Sequence, residues 1–589
     1  MKARLLVLLI FALARQVSAQ TPSIEYTVSA KNPIAHLYSV EMQINGIRST
    51  TVDVAMPAWS PGVYLLRDFA ANVQELEAIS RQNQALQLRQ LDKQTWRISK
   101  AAGDEVRLRY RVYSTGLSDE MADITPASIF MYVAGQTTAP VSVKYESEGS
   151  WKVYTSLAKR GDHYIAADYD SLIATPVFLG EFKVLEFQSG AVPVRAVFSN
   201  RRVQMTDLQV EADLTDILEA AAAMFGNVPF KDYTFLVRIQ SASGSQSVGY
   251  PDSARISVGE NDFVSENTYN AFLASATQAL VKAWYGKAAR PASMLPFDYS
   301  RDSYSRLLWF NEGVAAYSAD MLMVRSGMLT PGEYLIKASA EIDALQRQPG
   351  RLLVSLEDAS GNAWIRGDNS ANANVSYILK GKIAGLLLDA EIRGRTRGEK
   401  TLDDVLKRLV DAASKRGGLT EPVLETEIQA ATGLKVSEFF NAVTRSRNEL
   451  DYKRYLEPLG VTASARKAPS TIYFGIEFDR TDANQARIRR VVPSSPAETA
   501  KLDAGDVLVA MDSDRVTFDN LTGRIHSKPL GKAVTLTVLR GDRLLTLSIT
   551  PGLMQTETWS LEESLTATPE QVRLRTAWMA TREGGKSGK

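Results

Sequence analysis

The chain has no cysteine and only three histidines, His36, His163 and His526, in 589 residues. The first absence excludes disulfides and fits an exported protein that needs no oxidative folding. The second leaves few imidazoles for a metal, and those three stand far apart in sequence. Charge of one sign is missing too: 68 Lys and Arg face 67 Asp and Glu, a net charge of +1. Nothing electrostatic therefore points to nucleic acid or to an anionic membrane as a partner. There is no internal repeat and no phosphate-cradling glycine motif; Gly313 and Gly327 stand singly. Long apolar runs are also absent. The first 19 residues, MKARLLVLLIFALARQVSA, carry Lys2 and Arg4, an apolar core from Leu5 to Ala14, and Val17-Ser18-Ala19 as a small-residue cleavage site. That pattern reads as a secretory signal peptide. Its apolar core is shorter than the roughly 20 residues a membrane span needs. The expectation is an exported protein, periplasmic or extracellular, with no membrane span.

What is present is ordinary globular composition, 45% apolar and 23% charged, at a length that predicts about three domains. The fold class expected is multidomain α+β. Residues 20–205 alternate in short β-rich runs (Ser23 to Val28, Leu37 to Ile44, Thr50 to Val54, Glu105 to Val112, Val141 to Tyr145), which predicts an antiparallel β-sandwich. From Asp213 the period changes to helical. Residues 206–462 read as a mostly helical domain, with a helix over Leu214 to Phe225 and an edge strand over Tyr233 to Gln240. Further helices are predicted at Leu402 to Ala413, Pro422 to Ala431 and Val436 to Arg447. Residues 468–552 return to short strands. A tail from 553 to 589 carries one helix, Pro569 to Arg582, capped by Thr568 with Gln571 three residues on.

The stretch from Ala271 to Asp320 organises the chain. Its first part is a helix by composition, with Leu273, Leu280, Val281 and Trp284 on one apolar face and Gly286 placed to end it. A polar row, Ser275, Gln278, Lys282 and Tyr285, follows the same spacing. After a loop with Pro291 and Pro296, a second helix is predicted from near Ser303 to Gly327, carrying Asn311-Glu312-Gly313. The run Ala283-Trp-Tyr-Gly-Lys-Ala-Ala-Arg-Pro291, followed by Leu308-Trp-Phe-Asn-Glu-Gly313, resembles the glycyl aminopeptidase family. These are bacterial zinc metallopeptidases with a thermolysin-like catalytic domain and a C-terminal PDZ domain. The stretch from Met56 to Phe69 is similar to the signature of that family's N-terminal domain. It reads either as a Pro/Gly-fixed loop with an aromatic plug or as a substrate-binding element through Trp59 or Tyr64.

The resemblance implies a His-Glu-x-x-His helix and a downstream Glu as the zinc site. Placed by the Trp and the Arg-Pro, that motif falls on Gln278, Ala279 and Lys282, and only the downstream acid remains, as Glu312. An amide is a poor zinc ligand, an ammonium has no lone pair, and an alanine cannot act as a general base. Two further elements depart. The Glu that the family uses to hold the substrate's amino group falls on Gly249. The tyrosine expected to stabilise the oxyanion falls on Ile378, with Tyr377 one residue earlier; Tyr377 reads either as a cleft residue or as core. With the metal cation gone, Lys282 is expected to swing towards Glu312 and pair with it, with Gln278 adding a hydrogen bond.

The segment from Ala468 to Pro551 resembles a PDZ domain, through Tyr473-Phe474-Gly475-Ile476 and the Ser-Pro-Ala…Ala-Gly-Asp spacing that ends at Asp506. The resemblance implies peptide binding at Tyr473, Phe474, Gly475 and Ile476 by strand addition, or internal packing of the same module. The function expected is that of an exported, catalytically inactive peptidase homologue without a cofactor. It would bind a peptide or a protein C-terminus through the former cleft, the PDZ groove or both. Two alternatives stay open: an active aminopeptidase with an unorthodox zinc site, and a metal-independent hydrolase using Asp298, Asp302, Glu312 and Asp320.

Overall fold

The structure is a computed structural model that describes residues 22–147, 149–199, 206–240, 245–263, 265–365, 367, 369–412, 417–467, 470–554 and 557–581. The signal-peptide residues 1–19 and the Gly/Lys-rich end from Glu583 lie outside the described residues. The chain divides into two compact units, one of residues 1–334, 345–461 and 564–589, the other of residues 335–344 and 462–563.

The first unit opens with two sheets that enclose one core. Seven strands run in the order Ala158–Arg160, His163–Ala166, Val141–Glu146, Ser23–Ser29, Leu37–Asn45, Val106–Tyr113, Val73–Ser80. Facing them are Leu88–Gln90, Thr95–Ser99, Thr51–Ala55 and Tyr132–Val133. Inward residues alternate along each strand (Tyr26, Tyr38, Val54, Ile98, Leu108) and fill the space between the sheets. Pairing is antiparallel except at one ladder: Ser23–Ser29 runs parallel to Val141–Glu146. The long connection between those two strands makes a parallel pairing possible.

The central domain is built on a five-stranded sheet, ordered Lys183–Ser189, Val192–Phe198, Tyr233–Gln240, Ser253–Gly259, Gln246–Gly249. Its first two strands precede residue 205, where the sequence placed the junction. Tyr233–Gln240 is interior rather than an edge, as the unbroken burial of residues 233–237 requires. The edge strand is Gln246–Gly249, antiparallel to Ser253–Gly259. Behind that edge, the fully buried Asp123 accepts from Arg255 Nε at 2.7 Å and from Arg238 Nη1 at 3.0 Å. Arg255 faces Val248 across the ladder, so the ion cluster pins the strand pair that leads to Tyr250.

Helices cover this sheet. Thr206 caps Asp207–Phe225 through Gln209. Ser265 and Thr268 form a capping box at the start of Glu266–Ala288. That helix passes through Gly286 rather than ending there, and Arg290 Nε caps the Gly286 carbonyl at 3.1 Å. The second helix starts at Leu308, later than the sequence predicts, because Ser305 Oγ accepts the Leu307 amide and turns the chain first. The second unit holds the strands Ile476–Arg480, Ala486–Val491, Val507–Met511, Val534–Arg540 and Arg543–Ile549. Its helix Phe518–His526 opens on a Thr517/Asn520 capping box.

Candidate active-site cleft

Two helices make the site. Glu266–Ala288 buries Phe272, Leu273, Ala276, Leu280 and Val281. It also buries Trp284, which stacks on Phe225 at 5.0 Å and donates its indole N–H to the Asn227 carbonyl. Lys282 and Gly286 remain facing a cleft. Opposite, Trp309–Val314 is a π-helical turn that runs into the α-helix Ala315–Arg325. A π turn adds a residue to the helical ladder and re-aims the side chains inside it, here Asn311 and Glu312. It lies against the helix Tyr377–Arg395 with backbones nearly in contact: a Cβ on Gly313 would stand 2.6 Å from Gly381 Cα, and one on Gly381 2.6 Å from the Trp309 carbonyl oxygen. Any larger residue at either position would push the Glu312 turn away.

The Lys282 ammonium lies 2.5 Å from Glu312 Oε2 and donates to the Asn311 carbonyl oxygen at 2.7 Å. Glu312 Oε1 accepts from the Asn311 amide at 3.1 Å and from the Tyr64 hydroxyl at 3.3 Å. The two charged side chains keep only 18% and 11% of their exposure. Burial pushes the Lys282 ammonium below its usual value of 10.5, and the Glu312 carboxylate opposes that shift. The pairing expected from the sequence is therefore present. The expected help from Gln278 is not: Gln278 is exposed, and among the described residues no hydrogen bond joins it to Glu312.

The other positions fall as follows. Ala279 is buried, 1% exposed. Its carbonyl oxygen would lie 1.9 Å from a Cβ on Gly249, and Lys282 Cβ would lie 2.7 Å from it. The edge strand thus lies directly on the helix where the resemblance places an amine-holding acid. Ile378 is 40% exposed and has no donor to offer. Tyr377 is half-buried, packs against the N-terminal core and is close enough to Tyr64 to act on its hydroxyl. In the stretch from Met56 to Phe69, Trp59 is a fully buried plug among Phe297, Tyr299 and Trp364, its indole N–H on the Asp298 carbonyl. Tyr64 joins both descriptions: its ring packs edge-on to Trp364 and its hydroxyl reaches Glu312.

Around this pair lies a cavity of about 300 Å³, lined also by Gly62, Asp168, Asp170, Tyr250, Asp252 and Arg290. Sequence reasoning used Asn311 and Arg290 only as landmarks, although both sit inside the diagnostic runs. The three aspartates come from two segments, Asp168 and Asp170 from one and Asp252 from another, with no motif to mark them.

Three family profiles match this architecture: the peptidase M61 N-terminal domain over residues 25–181, the M61 glycyl aminopeptidase over 275–384, and a PDZ domain over 472–550. The chain carries both the M61 N-terminal domain and the M61 glycyl aminopeptidase domain. The central M61 match covers Gln278, Ala279, Lys282, Glu312 and Tyr377. The crystal structure of an aminopeptidase N family protein from Idiomarina loihiensis shares the fold of this M61 chain with a TM-score of 0.85. It is 24% identical, over 94% of this chain and 100% of that one. An M1 zinc metallopeptidase from Deinococcus radiodurans is similar over 73% of this chain and 94% of that one, at 13% identity and a TM-score of 0.45. Among curated proteins, HhoA of Synechocystis sp., which carries a serine-protease name, is 38% identical over 72 residues. Those residues are 12% of this chain and 18% of that relative's length.

The PDZ region of the M61 chain carries the four residues singled out in it. Tyr473 closes the strand Thr471–Tyr473, paired with Gly552–Met554. Phe474 is buried, and Gly475 has φ +83° with Ser495 2.2 Å from where a Cβ would be, so only glycine fits there. Ile476 starts the strand Ile476–Arg480, which is an edge of its sheet. Among the described residues no helix is long and apolar enough to cross a membrane.

Proposed function

We propose that this M61 chain is an exported, catalytically inactive homologue. It would bind a peptide or protein partner through the former active-site cleft, the PDZ groove or both. The observation that carries this reading is the Lys282–Glu312 pair: a cation contributed by the chain itself takes the carboxylate that a metal would need. The donors do not suit zinc. Gln278 offers an amide, Lys282 an ammonium, and Ala279 nothing, so no hydrolytic step is derived through a metal. The metal-independent alternative lacks support, because its carboxylates are engaged elsewhere. Asp298 accepts from Ser300 and Arg301, Asp302 accepts from Tyr304, Asp320 pairs with Lys382 at 2.6 Å, and Glu312 pairs with Lys282.

In the PDZ groove, an extended chain would add to the free edge of Ile476–Arg480, its carboxylate near the amides of Phe474 to Ile476. Export rests on the composition of residues 1–19. The test is elemental analysis of dialysed protein together with an N-terminal glycyl peptide hydrolysis assay. Less than a tenth of an equivalent of zinc, roughly, and no turnover are expected. Stoichiometric zinc that is lost in Glu312→Ala, accompanied by peptide cleavage, would overturn the reading.

A further inference from the structure

The cleft holds more charge than the Lys282–Glu312 pair uses. Arg290 lies at its wall, held by Nε on the Gly286 carbonyl and with its guanidinium 5.3 Å from the Phe297 ring centroid. Among the described residues no carboxylate comes within 4.0 Å of that guanidinium, the distance of an ion pair. Asp168 and Asp170 line the same cavity; burial pushes the Asp170 carboxyl up, and the Arg290 charge acts against that push. Each uses one carboxylate oxygen internally: Asp168 Oδ1 accepts the Ser171 amide at 2.7 Å, and Asp170 Oδ1 accepts the Tyr299 hydroxyl at 2.5 Å. Their second oxygens accept no hydrogen bond among the described residues. A third feature is independent of these charges. Asn311 lines the same cavity at 7% exposure, and its Oδ1 has no hydrogen-bond partner. A buried acceptor left unpaired costs stability until a donor reaches it.

The cavity therefore presents one cation with no carboxylate in ion-pair contact, a pair of carboxylates with oxygens to offer, and one acceptor that lacks a donor. A free dipeptide carries the complement: one carboxylate, one ammonium and one peptide N–H. The volume of about 300 Å³ lies at the small end of ligand cavities, which run from roughly 300 to 1,000 Å³.

We propose that the cleft binds a free dipeptide, its carboxylate on Arg290, its ammonium at Asp168 and Asp170, and its peptide N–H on Asn311 Oδ1. The inference rests on the cleft being a binding site without catalysis, and it names the ligand. Planar, forked donation suits Arg290 to a carboxylate, and the aspartates balance the other end of the same zwitterion. The charges of the Lys282–Glu312 pair cancel beside it.

The experiment is isothermal titration of the full-length mature protein with glycine, glycylglycine, N-acetyl-glycylglycine and glycylglycine amide, with proton NMR of the same samples. Glycylglycine is expected to bind at one site, and each capped form about tenfold more weakly. Arg290→Gln should erase the preference for acid over amide while keeping the preference for free over acetylated amine. Asp168→Asn, which retains its acceptor for the Ser171 amide, should do the reverse. Thermal midpoints near that of the unaltered protein establish that both variants fold. Equal binding of free and capped dipeptides, or binding of none of the probes, would overturn the zwitterion assignment and leave the non-catalytic reading standing. Glycine binding as tightly as glycylglycine would overturn the dipeptide assignment. Release of glycine from glycylglycine in the NMR samples would overturn the non-catalytic reading itself.

Discussion

Two buried charge clusters lie in the same domain and are built differently. In the cleft, Lys282 and Glu312 are joined by Asn311 and Tyr64, and Asn311 Oδ1 is left without a partner. Deeper in, Asp389 accepts from Arg393 Nε at 3.0 Å, the Leu402 amide at 2.9 Å and the Tyr317 hydroxyl at 2.7 Å. Tyr317 in turn accepts the Trp578 indole N–H at 2.9 Å. The Asp389 side chain is 1% exposed and that of Arg393 5%. The deeper cluster ties down both oxygens of its carboxylate and is almost wholly buried, as a structural clasp must be. The cleft cluster is half open and faces a cavity, as a site does. Buried charge alone does not distinguish a clasp from a site; the unused acceptor does.

The comparison breaks most clearly at its strongest member. Asp389→Ala leaves Arg393 buried without its hydrogen-bonded counter-charge, and a loss of about 3–5 kcal/mol is expected in denaturant unfolding. Lys282→Met strands Glu312 in the same way, but the pair keeps some exposure, so about 2–3 kcal/mol is expected. Adding Glu312→Leu to Lys282→Met should recover most of it, since removing both charges of a buried pair is close to neutral. No change in unfolding midpoint for Lys282→Met alone would show that water, not Lys282, satisfies Glu312.

Gly249→Ala tests the strand seated on the helix. With backbone rather than a flexible side chain 1.9 Å from the new Cβ, the edge strand must shift, at about 1–3 kcal/mol. Amide exchange should quicken in Gln246–Gly249 before it does elsewhere. The same contact weighs against restoring a base by Ala279→Glu, because that position is already buried under the strand.

The smallest effect is on pH. Burial alone would raise the Asp389 carboxyl, but Arg393, the Leu402 amide and Tyr317 together hold it below its usual 3.8. A folded-state value below the unfolded one stabilises fully above 3.8, and that stabilisation is lost as pH falls through the folded value. Acid unfolding curves of Asp389→Asn should be flatter below pH 4, roughly, than those of the unaltered chain; identical slopes would remove Asp389 from the acid limb.

Much of this was legible in the sequence, for physical reasons that differ by element. Strand limits such as Leu37–Asn45 and Val141–Glu146 agree to within a residue, because alternation is a local signal. The Lys282–Glu312 pair followed from charge chemistry once the two positions were aligned on one site. The π turn at Trp309–Val314 left no trace, since the run from Trp309 to Val324 is buried nearly all round and offers no apolar face whose phase an extra residue could shift. Gly286 was misread as a stop because its role depends on Arg290 capping its carbonyl. The Asp389 clasp was invisible for a different reason: its members come from four separate segments.

Tyr317 and Trp578, the two ends of that clasp, are separated by 261 residues. A ribosome adding roughly 5–20 residues per second needs on the order of tens of seconds to make the second after the first. Throughout that interval the chain lacks the indole that closes on Tyr317, while all of residues 462–563 are still being made. Completion of the domain is therefore a late event in the life of the chain. A nascent or clipped protein that stops short of Trp578 should be the form that proteases and chaperones recognise first.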